Sequence, residues 1–323
     1  MSTDPAIAIP PLPEKFARHI PAPAWRWLCD FLLQKPWLIE PAAVVQRLRD
    51  LGYQPQPDPF SEQIVEPIVQ ALREARPMSA IRMGDGEANA LTWQRYPALG
   101  LAADYFGDAS MAQQGDRCAL NPALRLELRD AMEAAIGQAD LIGLPGLWRP
   151  RPYGLEEVLT LLTHEPRGVS GQVLGIAWFV HLAEQGLLRH GQLVSAHLYF
   201  GVMRYLDRLL DATDQLICLT NRERVVQQLA GRKKGLRVDW VQVGHRPGSP
   251  DLRFMADTLA ELPARLDGVL CLVGSGPWSE IYCTRIKARG GVAVDLGSGF
   301  DLLDGKQTRP VHRQVSADHW QAP

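Results

Sequence analysis

No apolar run in this 323-residue chain approaches the ~20 residues that a membrane-spanning helix requires. The longest candidate, Val173 to Leu188, is interrupted by His181, Glu184 and Gln185 and reads as a buried or amphipathic helix. Strong charge is also missing: the net charge of −2 supplies no field to draw in nucleic acid or an anionic membrane. The one local exception is the basic segment Arg222, Arg224, Arg232, Lys233, Lys234 and Arg237. It reads as a solvated helix face, with contact to an anionic acceptor or membrane surface as the lesser option. The five cysteines, Cys29, Cys118, Cys218, Cys271 and Cys283, show neither pairing nor metal-type spacing. That excludes a disulfide framework and implies a reducing compartment. Met1-Ser2-Thr3-Asp4-Pro5 lacks the basic-then-apolar order of a secretory leader, and no internal repeat or low-complexity tract is found. A cytoplasmic protein without a membrane span is expected, one that could still act at a membrane surface.

What is present is an ordinary globular composition, with a compositional break near residue 60. Residues 1–60 hold 11 of the 25 prolines and the aromatic cluster Trp25, Trp27, Phe31 and Trp37. They read as a helical, Pro- and Trp-rich extension wrapped over the main domain, which spans 61–323. Beyond the break, strands of about six apolar residues alternate with helices. Glu62 to Arg76 carries apolar residues at helix spacing, closed by Pro77. Asn121-Pro122 has the chemistry of a helix start, and Asn221 is placed to cap the helix after the strand Gln215–Thr220. Further strands are expected at 139–144, 238–243, 268–273 and 291–296, with a helix from Pro250 to Leu262. The expected fold is α/β: a Rossmann-like, mostly parallel sheet with helices on both faces.

The most informative stretch is Ser79-Ala80-Ile81-Arg82-Met83-Gly84-Asp85-Gly86-Glu87. An apolar strand runs into two carboxylates, Asp85 and Glu87, on a backbone loosened by Gly84 and Gly86. In an extended or turning segment residues i and i+2 project to one side, so both acids could face one cation. Hard divalent cations take such oxygen ligands, completed by water and phosphate. A metal–diphosphate site is therefore expected here; a polar Asp-Gly turn is the plainer reading.

A second constellation lies near the C-terminus. Val269 to Val273 is an apolar strand that enters Gly274-Ser275-Gly276-Pro277 and then a helix from Trp278. Glycines and free N–H groups at a helix start suit phosphate. The next strand ends in Asp295, nineteen residues after Gly276. Strand, Gly-x-Gly, helix and acid also spell a dinucleotide pattern, so an NAD- or S-adenosylmethionine-dependent enzyme using Gly274, Gly276 and Asp295 is an alternative. Beyond it, Gly297-Ser298-Gly299 and Arg309 could close over an anionic ligand. A non-catalytic interaction protein using the aromatic N-terminus is a third reading.

Taken together, the segments resemble the GT-D-fold glycosyltransferases. The resemblance rests on Ile81 to Glu87, Ile142-Gly143-Leu144-Pro145, Val273 to Pro277, Gly290 to Ser298 and Thr308-Arg309, over roughly residues 62–315. It implies a nucleotide-sugar-dependent enzyme, with Asp85 and Glu87 holding a divalent metal, manganese first and magnesium second, on the donor's diphosphate. It also implies Arg82 as a site residue, and Gly84, Gly86, Gly143, Pro145, Gly274, Ser275, Gly276, Asp295, Ser298 and Arg309 as donor-binding positions. The donor expected is a UDP-sugar; the acceptor is a glycan, a lipid-linked glycan or a glycoprotein. Where some members carry a glycine-histidine-acidic ending on the last strand, this chain has Gly297-Ser298-Gly299-Phe300-Asp301. As general base, His197, His245, Asp104 and Asp108 are candidates and none is assigned.

Overall fold

Short, fully apolar strands such as Leu270–Val273 and Val292–Asp295 have no solvent face, so both of their sides must be covered. A computed structural model describes residues 9–14, 17, 22–92, 122–188, 193–243 and 252–320. Seven strands form one sheet: β1 Met78–Arg82, β2 Leu141–Leu144, β3 Leu193–Ser195, β4 Gln215–Thr220, β5 Arg237–Gln242, β6 Leu270–Val273 and β7 Val292–Asp295. Their order is β3-β2-β1-β7-β6-β4-β5, and every neighbouring pair is parallel. The sheet thus joins two runs, β1 to β3 and β4 to β7, at the β1–β7 seam, where Ala80 faces Val294. The α/β fold read from the sequence is the fold observed.

The described helices are α1 Ala22–Gln34, α2 Pro41–Asp50, α3 Glu62–Arg73, α4 Asp85–Thr92, α5 Pro122–Gln138, α6 Leu155–His164, α7 Pro166–Glu184, α8 Tyr199–Arg204, α9 Leu206–Asp211, α10 Glu223–Ala230, α11 Leu252–Ala260, α12 Ser279–Lys287, α13 Gly299–Leu303 and α14 Pro310–Gln314. They divide between two cores. One core gathers Leu28, Leu48, Met132, Leu162, Phe179, Ile281 and Ile286, from α1, α2, α5, α6, α7 and α12, with strand residues Ile81, Cys271 and Ala293. The other gathers Ile68, Phe200, Leu209, Val225 and Phe300, from α3, α8, α9, α10 and α13, with Ala80, Leu272 and Val294.

The N-terminal segment belongs to the first of these cores. Trp25 is buried there with its indole N–H on the Pro10 carbonyl at 2.8 Å, and Trp27 packs against the same cluster. Gln56 pairs in parallel with β3, Val194 being its partner, so this segment covers the sheet's edge.

Several boundaries differ from expectation. Helix α3 is capped by the Ser61 hydroxyl but ends at Arg73, before Pro77, because the chain turns through Ala75 at φ 48°. Arg222, not Asn221, stands at the N-cap of α10. The helix after β6 begins as a 3₁₀ turn at Gly276–Trp278, and α12 proper starts at Ser279. Asn121 and Pro250 lie outside the described residues, as does Cys118. The basic segment is largely neutralised: Arg222 pairs with Asp301, Arg224 with Asp304, Arg232 with Asp207 and Lys233 with Asp214. No helix among the described residues is long and apolar enough to cross a membrane.

Helix α7 sets the position of α4 through glycines. A Cβ on Gly171 would lie 2.3 Å from the Asp85 carbonyl oxygen, and one on Gly175 would lie 2.5 Å from the Ala88 Cβ. The two backbones approach closely only because those side chains are absent. Gly171→Ala is therefore expected to cost about 1–3 kcal/mol in chemical denaturation by forcing the helices apart; an unchanged midpoint would contradict this packing.

Candidate functional site

The carboxyl ends of parallel strands are where open α/β sheets place their ligands, and most of the residues singled out above gather there. At the end of β1 the chain leaves Arg82, passes Met83 and turns at Gly84 into α4. The Gly84 N–H donates to Glu87 Oε2 at 2.9 Å, the returning half of a capping box. A Cβ on Gly84 would fall 2.6 Å from that oxygen, so any side chain there would displace the Glu87 carboxylate. Asp85 and Glu87 are thus first-turn residues of a helix, not of an extended segment. In a helix i and i+2 lie roughly 200° apart, and the expected same-side projection does not hold. Asp85 Oδ2 faces the start of α7, 3.7 Å from where a Gly168 Cβ would stand. Glu87 folds back toward the strand end. The positive pole of α4 favours both charges.

Across the seam, Asp295 ends β7 almost wholly buried and accepts from Arg82 Nε at 3.1 Å. Arg82 also donates to the Ala196 carbonyl at 3.3 Å, and its guanidinium lies 5.1 Å from the centre of the Tyr199 ring. Gly297, at φ 46°, seals it in: a Cβ there would stand 1.7 Å from an Arg82 nitrogen. Behind this pair, buried His312 reaches the Tyr199 hydroxyl at 3.2 Å and the Ser298 hydroxyl at 3.4 Å, and its Nδ1 accepts from the Arg309 N–H at 3.4 Å. Arg309 itself is exposed at the rim.

Carboxyl groups outnumber cationic side chains in this region. Burial pushes the Glu87 carboxyl up to about 7; Arg82 opposes the rise, while Asp85 and Asp295 add to it. Burial also raises Asp85, with Arg309 as the main opposing charge. Burial works against the Arg82 charge, yet Asp295, then Tyr199, Glu87 and Glu280, hold it above the ordinary arginine range. Glu280, in the first turn of α12, is fully buried with neither carboxyl oxygen hydrogen-bonded. Burial, then Glu87 and Asp295, hold it well above the usual carboxylate range. Reading the sequence did not single out Glu280. The one available signal was an acid within a helix whose other first residues, Ile281, Tyr282 and Cys283, are apolar.

Four carboxylates stand against two guanidiniums, Arg82 and Arg309, leaving an excess of two negative charges when all are ionised. That donor chemistry fits a divalent cation. Among the described residues no three His, Cys, Asp or Glu side chains are arranged to hold a metal ion by themselves. The fit is thus to a cation shared with ligand oxygens and water, not to a closed protein cage.

The other positions have structural partners of their own. The Gly274 N–H is bonded to the Leu219 carbonyl at 2.8 Å and the Ser275 N–H to the Ser279 hydroxyl at 2.9 Å, so neither is open to phosphate. The space beside Gly274 is filled by the Phe300 ring, 2.5 Å from a notional Cβ, whereas Gly276 faces open space at φ 54°. Asp295 is almost wholly buried with Oδ2 on Arg82 and offers no exposed oxygen to a ribose hydroxyl, which leaves the dinucleotide pattern without its acid. Gly143 allows close passage of the Ser195 and Ile81 carbonyls, and Pro145 packs toward Gly175 of α7. His197 is pushed down to about 3 by burial, with Arg82, His312 and Arg149 adding to the shift, so it is a weak base. His245, Asp104 and Asp108 lie outside the described residues.

Residues 60–170 match the family model described as the GT-D fold-like domain. The GT-D resemblance holds. The GT-D-like segment carries β1, α4, α5 and β2, and with them Arg82, Asp85, Glu87, Gly143 and Pro145; the late glycine loop, Asp295 and Arg309 lie beyond it. No curated protein matches the chain. A solved structure titled "Selenomethionine substituted structure of domain of unknown function 1792" is similar at 13% identity and a TM-score of 0.40, covering 81% of this chain and 86% of that one.

Because the folded pKa of Glu87 lies above its free value, its contribution to stability is complete below the free pKa and is lost as pH rises through about 7. Chemical denaturation of the metal-free protein should show lower stability at about pH 8 than at about pH 5, with the loss reduced in Glu87→Gln. Identical losses in the two proteins would contradict the burial assigned to Glu87.

Proposed function

We propose that the protein is a metal-dependent glycosyltransferase that moves a sugar from a nucleotide-sugar donor to a glycan, lipid-linked or protein acceptor. The observation that carries this reading is the carboxylate excess at the β1–β7 seam, within reach of an arginine locked in place by Asp295. The match of the segment containing Asp85 and Glu87 to the GT-D fold-like domain supports the same reaction class.

Glycosyl transfer breaks the bond between an anomeric carbon and a phosphate oxygen, and charge builds on the departing nucleoside diphosphate. Asp85, facing the start of α7, or Glu87, folded back on the strand end, would supply a carboxylate to a divalent cation, manganese foremost, on that diphosphate. When bound, the cation supplies neutralisation of the developing charge. Arg82 would add a fixed positive charge, its Nε bonded to Asp295 and its guanidinium carbon over the Tyr199 ring. Such preorganised charge costs no rearrangement at the moment of reaction. Arg309, at the rim and close enough to act on the Asp85 charge, would close over the donor's phosphates. Gly84 forms the close turn into α4, Gly86 lies within the first turn of that helix, and Gly276 leaves open space at the end of β6. A UDP-sugar is the first donor to try. Buried free thiols at Cys29, Cys218, Cys271 and Cys283 accord with work in a reducing, cytoplasmic setting.

Asp85→Asn keeps the shape of the turn and removes one cation ligand. It should lower manganese-dependent sugar transfer from a UDP-sugar by about 100-fold or more, with the circular dichroism spectrum intact. Transfer or tight donor binding that is indifferent to manganese and to this substitution would overturn the proposal.

A further inference from the structure

The β2–β3 side of the same edge is built differently, and its charge is positive. After β2 the chain turns at Gly146, φ 74°, into a loop carrying Trp148, Arg149, Arg151 and Tyr153. Arg151 is neutralised by Glu157 and lies 4.5 Å from the centre of the Tyr153 ring. Arg149 shares that ring at 5.2 Å but, among the described residues, has no carboxylate partner, and its Nε is buried without a hydrogen bond. Burial depresses its pKa, with only Tyr153 working the other way. A half-buried guanidinium in this state is anomalous, because a desolvated cation is ordinarily paired. The Tyr153 ring contributes about 0.5–2 kcal/mol of cation–π attraction and supplies no acceptor for the buried Nε–H.

The surroundings are organised around this charge. Trp148 stands edge-on to His197, ring centres 5.4 Å apart, and packs on Phe60 and Phe200. His197 feels both Arg82 and Arg149 and is held neutral, so no third positive charge competes for an incoming group. Arg149 thus stands at the ligand edge of the sheet with the Tyr153 ring on one side and a buried Nε–H that meets no acceptor among the described residues. A planar fork of N–H groups suits phosphate oxygens taken two at a time.

We infer that Arg149, flanked by Trp148 and Tyr153, forms a second anion subsite that binds a phosphate ester, separate from the carboxylate-rich pocket at the β1–β7 seam. Its existence does not depend on the transferase reading. The phosphate ester could be soluble, as on a sugar phosphate, or carried by a lipid.

The test is direct binding to the full chain in EDTA, with no nucleotide sugar present, so that failure of the metal site and failure of this subsite are told apart. Glucose 1-phosphate and vesicles containing phosphatidic acid are the two probes, with glucose and phosphatidylcholine vesicles as phosphate-free controls. Saturable binding to either phosphate probe is expected, weakened at least about tenfold by Arg149→Gln and only partly by Arg149→Lys. Arg151→Gln, which removes the same charge two residues on in the same loop, should bind nearly as wild type does. Binding of glucose 1-phosphate assigns a soluble ligand; binding of the vesicles alone assigns a lipid-borne one. Arg149→Gln removes an unpaired charge and should melt no lower than wild type, so loss of folding does not blur the outcome. Equal binding by wild type and Arg149→Gln, or no saturable binding to either probe, would overturn the inference.

Discussion

One ion pair ties the architecture to the chemistry. Arg82 and Asp295 lie 213 positions apart in sequence, yet they end β1 and β7, the two strands whose pairing joins the halves of the sheet. Their side chains are 17% and 2% exposed, so the pair is well desolvated. Removing either partner of such a pair typically costs about 3–5 kcal/mol, because the other is left buried and uncompensated. The same contact fixes a guanidinium at the ligand edge. Around it the backbone has yielded: Gly297 exists because any side chain would collide with Arg82, and Tyr199, Ser298 and His312 form a hydrogen-bonded wall behind it. Stability and preorganisation are one feature here.

The second constraint is an imbalance of charge. Asp85, Glu87, Asp295 and Glu280 share a region with two guanidiniums, and burial opposes ionisation of each carboxylate. A fold does not retain such a cluster for stability, since apolar residues of similar size would serve better. It makes physical sense as a site whose charge is completed by something bound. On the opposite flank the sign reverses, with Arg149 lacking a carboxylate partner among the described residues and His197 held neutral beside it. A ligand bearing more than one anionic group, engaging cation and arginines together, would match this polarity.

Much of this was legible in one sequence, and the reasons are local. Apolar runs ending in glycine and acid marked β1, β6 and β7, and alternation with helical spacing foretold a parallel sheet. Trp25 read correctly as a packing residue. What was hidden depends on distance or on exact helical phase. Asp85 and Glu87 were legible as a pair, but whether the turn after Gly84 extends or coils is decided by the Glu87 carboxylate returning to the Gly84 N–H and by the Gly171 contact from α7. Glu280 gives no periodic signal, since α12 is buried on most of its circumference. The Gly274 loop looks like a phosphate cradle in sequence, yet its first two N–H groups are already bonded to Leu219 and Ser279. The pairing of Arg82 with Asp295 could not be read before the strand order was known.

Anomalous diffraction from crystals soaked with manganese and UDP tests the central claim most directly. The account predicts a manganese peak at the carboxyl end of β1, coordinated by Asp85 or Glu87 and by diphosphate oxygens, with Arg82 still bonded to Asp295. A diphosphate seated on the Gly276 turn without metal, or manganese bound away from both acids, would contradict it.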